Sequence, residues 1–123
     1  MKYLILIYGN PASRAIWAGL TEAQRKEAVH GYAALNAALE ESGEGIVQES
    51  LADPAEGKRV TVRGGRTLTT DGPFAEAKEQ LAGFYLVDCD SIERAIEHAA
   101  MIPEAALGLV EVRPIQDLSA LGI

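Results

Sequence analysis

Four apolar runs, two amphipathic helical stretches and one diglycine turn predict an α+β protein. The apolar runs at Lys2 to Tyr8, Ile46 to Leu51, Phe84 to Asp88 and Leu109 to Ile115 read as strands. The helical stretches follow the first and third of these. Val60-Thr61-Val62-Arg63 and Arg66-Thr67-Leu68-Thr69 flank Gly64-Gly65, the signature of a tight hairpin. With the hairpin set aside as an insertion, the order is β-α-β-β-α-β. That is the ferredoxin-like split, with both helices on one face of an antiparallel sheet.

The elements follow one by one. Gly9-Asn10-Pro11 ends the first strand, and a loop holding Trp17 leads to Thr21. Thr21 and Gln24 have the spacing of a capping box. Ala28, Tyr32, Leu35 and Leu39 step by four, three and four, so they share one helix face, and Gly43 supplies a left-handed cap. Asp53-Pro54 closes the second strand. Asp90 or Ser91 caps the second helix, whose inward face is expected to be Ile92, Ala95, Ile96 and Ala99, with Pro103 as its stop. The last strand alternates Val110 and Val112 against Glu111 and Arg113.

The first strand and Phe84 to Val87 are apolar at successive positions, and such strands want cover on both faces. One copy supplies helices for one face only. A second copy's sheet is the expected cover for the other, giving a homodimer of the α/β-barrel kind. The rival cover is the hairpin together with the Trp17 loop.

A chain of 123 residues suits one domain, taken here as 1–123, that buries a core without disulfides or metal. Its net charge of −7 argues against nucleic acid, whose phosphates need a basic face, and against an anionic membrane surface. The apolar start is too short for a bilayer span and is broken by Pro11 and Arg14. One cysteine, Cys89, flanked by Asp88 and Asp90, fits a reducing cytoplasm and an inert thiol. Two distant histidines and this cysteine give no metal-ligand spacing, and nothing argues for a cofactor.

The densest chemistry lies in Asp71-Gly72-Pro73-Phe74-Ala75-Glu76-Ala77-Lys78-Glu79, which runs directly into the strand Phe84 to Asp88. Architecture accounts for much of it. Aspartate starts turns, Gly72 relaxes the backbone before proline, and Pro73 with Glu76 suits a helix start. The functional reading has Asp71 and Lys78 or Glu79 converging on a pocket beside Tyr85, with Asp71 as the catalytic acid-base group and Lys78 or Tyr32 as the catalytic polarising group. Tyr8, Trp17, Tyr32 and Phe74 complete the expected binding set for a small-molecule ligand, although core packing or dimer contact is the commoner use of aromatics. Arg63 and Arg66 face each other across the hairpin turn, where a solvated tip or an intervening carboxylate would relieve their repulsion. His30 and His98 are both expected on solvated helix surfaces.

The Asp71-Gly72-Pro73-Phe74 segment resembles the signature of the DGPF family within the wider YCII-related group. The likeness extends to Met1-Lys2-Tyr3, to Gly64-Gly65-Arg66 before Thr70-Asp71, and to Val110-Glu111-Val112-Arg113-Pro114. It implies a dimeric ferredoxin-like barrel among mostly uncharacterised bacterial proteins, often encoded beside or joined to sigma factors of the extracytoplasmic-function type. The wider group often carries a histidine and an aspartate as its proposed active site. This chain has Tyr32 where that histidine would fall, so acid-base chemistry does not carry over directly. Two functional classes follow: a small-molecule enzyme, or a ligand-binding or protein-interaction module without turnover.

Overall fold

The computed structural model describes residues 1–74 and 78–123, and it has the ferredoxin-like order with the hairpin set apart. Strands β1 (Lys2–Gly9), β2 (Gly45–Ser50), β5 (Gln80–Asp88) and β6 (Val110–Pro114) form one antiparallel sheet in the order β2-β5-β1-β6. Strands β3 (Lys58–Arg63) and β4 (Arg66–Asp71) form a separate two-stranded ribbon across Gly64-Gly65. Both turn glycines have positive φ, 54° and 75°, as a mirror-image hairpin turn requires.

Helix α2 (Glu22–Ser42) begins and ends where its sequence signals lie. Thr21 and Gln24 exchange side-chain bonds with each other's backbone N–H groups, and Gly43 takes φ 74°. Leu35 and Leu39 are buried, while Ala28 and Tyr32 are half-buried. Leu35 and Leu39, with Tyr32 against them, pack with Tyr3, Ile5, Ile7, Tyr85, Val87, Ala95, Ala99 and Ile102 into the core between helices and sheet.

Three local expectations need correction. The Trp17 loop is a helix, α1 (Pro11–Ala18), because Asn10 and Ser13 form a capping box and Pro11 pre-sets the first helical φ. None of its residues is buried, so no apolar stripe announced it. The second predicted helix, α3 (Ile92–Ala99), is capped by Ser91 but turned from the expected face: Ala95, His98 and Ala99 point inward and Ile96 is exposed. Pro103 does not stop that helix but opens a separate 3-10 turn, Pro103–Leu107. The helical start expected after Pro73 includes residues 75–77, which lie outside the described residues.

The register explains why β1 and β5 are apolar throughout. Tyr3, Ile5 and Ile7 face the helices. On the other face Leu4 lies opposite Leu86 and Arg113, and Leu6 opposite Phe84 and Glu111. Leu6 is buried, while Leu4, Phe84 and Leu86 are only half-buried. Neither rival cover buries itself there: Trp17 is exposed, and every hairpin-strand residue except Arg59 is exposed.

Candidate functional site

Between α2 and the sheet, two phenols and a carboxylate gather around an amide. Tyr32 and Asn36 lie one turn apart on α2 and therefore share a face. The Tyr32 hydroxyl donates to the Glu104 carboxylate in the Pro103–Leu107 turn. From β5, the Tyr85 hydroxyl donates to Asn36 Oδ1 at 2.9 Å. Burial, then the Glu104 hydrogen bond and charge, push the Tyr32 phenol far above its usual range. Burial and the Glu104 charge also raise Tyr85. Both phenols therefore keep their protons at neutral pH and serve as hydrogen-bond donors. Asn36 and Tyr85 also line an open groove of about 340 Å³ with Leu39, Gln48 and Val47.

Gly31 fixes how closely this helix approaches the turn. A Cβ there would lie 3.0 Å from the Met101 carbonyl oxygen and 3.1 Å from Pro103. That close approach brings Tyr32, the next residue, within reach of Glu104.

The remaining expected site residues are dispersed. Asp71 ends β4, is exposed and pairs with Lys58. Lys78 and Glu79 are exposed just before β5. Glu79 precedes Tyr85 by six residues of mostly extended chain, a path of ~20 Å, so Glu79 does not meet Tyr85. Phe74 is exposed and stacks under the Arg59 guanidinium, 4.9 Å from the ring centre. Trp17 is exposed, with Arg25 6.0 Å from its ring centre. Tyr8 donates at 2.8 Å to Glu111, which Arg113 also grips. The sheet register puts Glu111 on the face away from the helices, so Tyr8, Trp17 and Tyr32 do not share one aromatic pocket. A smaller cleft of about 180 Å³ lies beside the start of β5, lined by Arg14, Asp53 and Gln80 among others.

A second polar cluster escaped the sequence reading. His98, expected on the surface, is 2% exposed, with Nε2 3.0 Å from Glu44 Oε1. Arg94, one turn earlier on α3, donates to both Glu44 oxygens. The carboxylate offsets the cost of burying the imidazole. The Arg94 bonds hold the Glu44 carboxyl down at about 2, against an opposing push from burial. Burial and Glu44 push the Cys89 thiol up to about 11, consistent with an inert cysteine. The i, i+4 spacing of Arg94 and His98 was a usable signal; Glu44, fifty residues away, was not.

Linear spacing had suggested no metal-ligand set. The fold nevertheless brings Glu44, Cys89 and His98 donor atoms within 4.8 Å of one another. A cation there would have to displace Arg94 from the carboxylate and a proton from the thiol. His30 stands solvated on α2, 3.8 Å from Glu27. Among the described residues, no helix is long and apolar enough to cross a membrane.

Three comparisons bear on this arrangement. The model of the YCII-related domain matches residues 1–119. An uncharacterized protein of Rhizobium meliloti (strain 1021) is 31% identical over 117 residues, covering 94% of this chain and 92% of that protein. Among solved structures, the chain is similar to a 5-chloro-2-hydroxyhydroquinone dehydrochlorinase from Burkholderia phenoliruptrix AC1100 in complex with 2,5-dihydroxybenzoquinone. That likeness has a TM-score of 0.44 at 18% identity over 94% of each chain.

Proposed function

The chain belongs to the YCII-related family, and from that premise we propose that it is a small-molecule enzyme working by acid-base chemistry at Tyr32, Glu104, Tyr85 and Asn36. The observation that carries this reading is the half-buried Tyr32–Glu104 pair beside the Tyr85–Asn36 pair. A phenol held protonated is a donor for a substrate carbonyl or hydroxyl oxygen. A carboxylate beside it is the natural acceptor for a proton leaving that substrate. When a substrate oxygen takes the Tyr32 hydroxyl, Glu104 loses its internal partner and becomes free to act as base. Asn36 keeps its amide N–H groups to orient the ligand while Tyr85 holds its oxygen. The groove walls, Leu39 and Val47, suit a partly apolar molecule such as a small aromatic acid.

This reading moves the chemistry from Asp71 and Lys78 to a pair built on the position where the wider family carries its histidine. A thermal-shift screen of small aromatic and carboxylic compounds separates the two loci, because a bound ligand raises apparent stability by mass action. At least one compound is expected to stabilise the wild type, Asp71→Asn and Glu104→Gln but not Tyr32→Phe. A hit lost in Asp71→Asn yet kept in Tyr32→Phe would return the site to the DGPF segment. Hits that stabilise all four proteins equally would sink both assignments.

A second copy of the chain is the proposed cover for the open sheet face. Leu4, Phe84 and Leu86 stand half-buried around the Tyr8–Glu111–Arg113 group, an apolar surface with a polar centre to set register. One observation favours the alternative of an interaction module without turnover: the exposed valines of the hairpin, Val60 and Val62.

A further inference from the structure

The β3–β4 hairpin differs in charge from the rest of the molecule. It carries Lys58, Arg59, Arg63 and Arg66 against Asp71 alone, a net charge of +3, which leaves −10 on the remainder of a chain whose total is −7. The register sorts these groups. Arg59 lies opposite Thr70, Thr61 opposite Leu68, and Arg63 directly opposite Arg66. Alternation therefore puts all three arginines on one face, with Thr61 and Leu68 between them. Lys58 and Asp71, which neutralise each other, fall on the opposite face with Val60 and Val62. Among the described residues, no carboxylate lies within ion-pair distance of Arg63 or Arg66 at the tip, while the half-buried Arg59 is already stacked on Phe74.

Two costs follow. Like charges directly opposite each other weaken a hairpin. A two-stranded ribbon exposed on both faces is also marginal in water, yet Val62 is 66% exposed and Leu68 45% exposed. The ribbon's root is held: the Gly72 N–H donates to the Gly57 carbonyl at 2.8 Å. Its tip carries fork-shaped donors suited to carboxylates.

We propose that this arginine face is a docking arm for the carboxylates of a second copy of the same chain. The occupant is set by charge complementarity. The arm is basic, the rest of the chain is strongly acidic, and a second copy offers that acidic surface at the protein's own concentration. In a two-fold pair each copy lends its arm to the other, so the contact is made twice. The proposal rests on the pairing of copies proposed above but assigns a contact separate from the open sheet face. Carboxylates seated between Arg63 and Arg66 would remove their repulsion and cover Leu68.

The test is sedimentation velocity of the full chain at low and high salt, with circular dichroism to establish folding. The wild type is expected to dimerise, with an affinity that falls as salt rises. Arg63→Glu/Arg66→Glu should raise the dimer dissociation constant about tenfold or more, with Arg63→Gln/Arg66→Gln intermediate should the reversal perturb folding. In a mixture of unlabelled and isotope-labelled Arg66→Lys protein, a carbodiimide should join the introduced amine to carboxylates of the other copy. A wild-type monomer would overturn the pairing itself. A dimer with the same constant in all variants, or with no cross-link between copies, would overturn only the arm.

Discussion

Replacing Glu44 by glutamine should cost about 1–2 kcal/mol of stability at neutral pH, and that cost should fade in acid. The carboxylate takes Arg94 Nε and Nη2 at 2.9 to 3.2 Å and lies 3.0 Å from His98 Nε2. Those contacts hold it at about 2, from an ordinary 4.5. At 1.36 kcal/mol per unit, such a drop sets a ceiling of about 3 kcal/mol. Two effects bring the figure down. Arg94 has 40% of its side chain in solvent, which screens the pair, and glutamine retains one acceptor oxygen. The sign of the pH dependence follows from the direction of the shift. The folded value lies below the unfolded one, so the contribution is complete above 4.5 and is lost as pH falls from 4.5 towards 2. Urea unfolding of wild type and Glu44→Gln across that window measures the gap directly. A gap that stays constant through the window would show that the charge of Glu44 is not what holds α3 to the start of β2.

Two glycine substitutions test the frame around the proposed sites. Gly72 has φ 78°, so Gly72→Val should lower stability by about 1–2 kcal/mol through backbone strain alone; an unchanged melting temperature would mean the turn can be rebuilt. At Gly83, a Cβ would stand 2.9 Å from the Glu49 carbonyl oxygen in the paired strand β2. Gly83→Ala should therefore cost about 1–3 kcal/mol, and a neutral or stabilising result would refute the closeness of that pairing.

Much of the frame was legible because it is written locally. The Thr21 capping box, the Leu35–Leu39 stripe and the Gly43 cap each act within a few residues, so α2 could be read almost to its ends. The same holds for Gly64-Gly65 and its two flanking strands. Helix α1 was missed although its cap, Asn10-Pro11 with Ser13, was in plain view. The residues it needs for capping are also those that end strands, and it has no buried face to break the tie. The polar clusters were illegible for a different reason. Glu44 meets His98 across 54 positions and Tyr32 meets Glu104 across 72, so each partner is supplied by the fold and not by a motif.

The same contrast bears on where function sits in this chain. The DGPF segment crowds proline, glycine and charge into a few residues, and those are the residue types that turns demand. At its start, Asp71 meets Lys58, and the Gly72 N–H meets the Gly57 carbonyl, contacts that close the root of the hairpin. Tyr32 belongs to no such crowded segment, and its partner Glu104 is supplied by the fold. A phenol there can donate but, with its proton held by burial and Glu104, it is a poor base. Any base at this position must then be Glu104, which leaves the proposed chemistry dependent on a residue carried by a short 3-10 turn. The separation is measurable: Glu104→Gln should remove proton transfer while leaving Tyr32 its hydrogen-bonded partner, whereas Tyr32→Phe should weaken ligand binding as well. Identical losses in the two variants would mean that the pair holds the helix in place and does no chemistry.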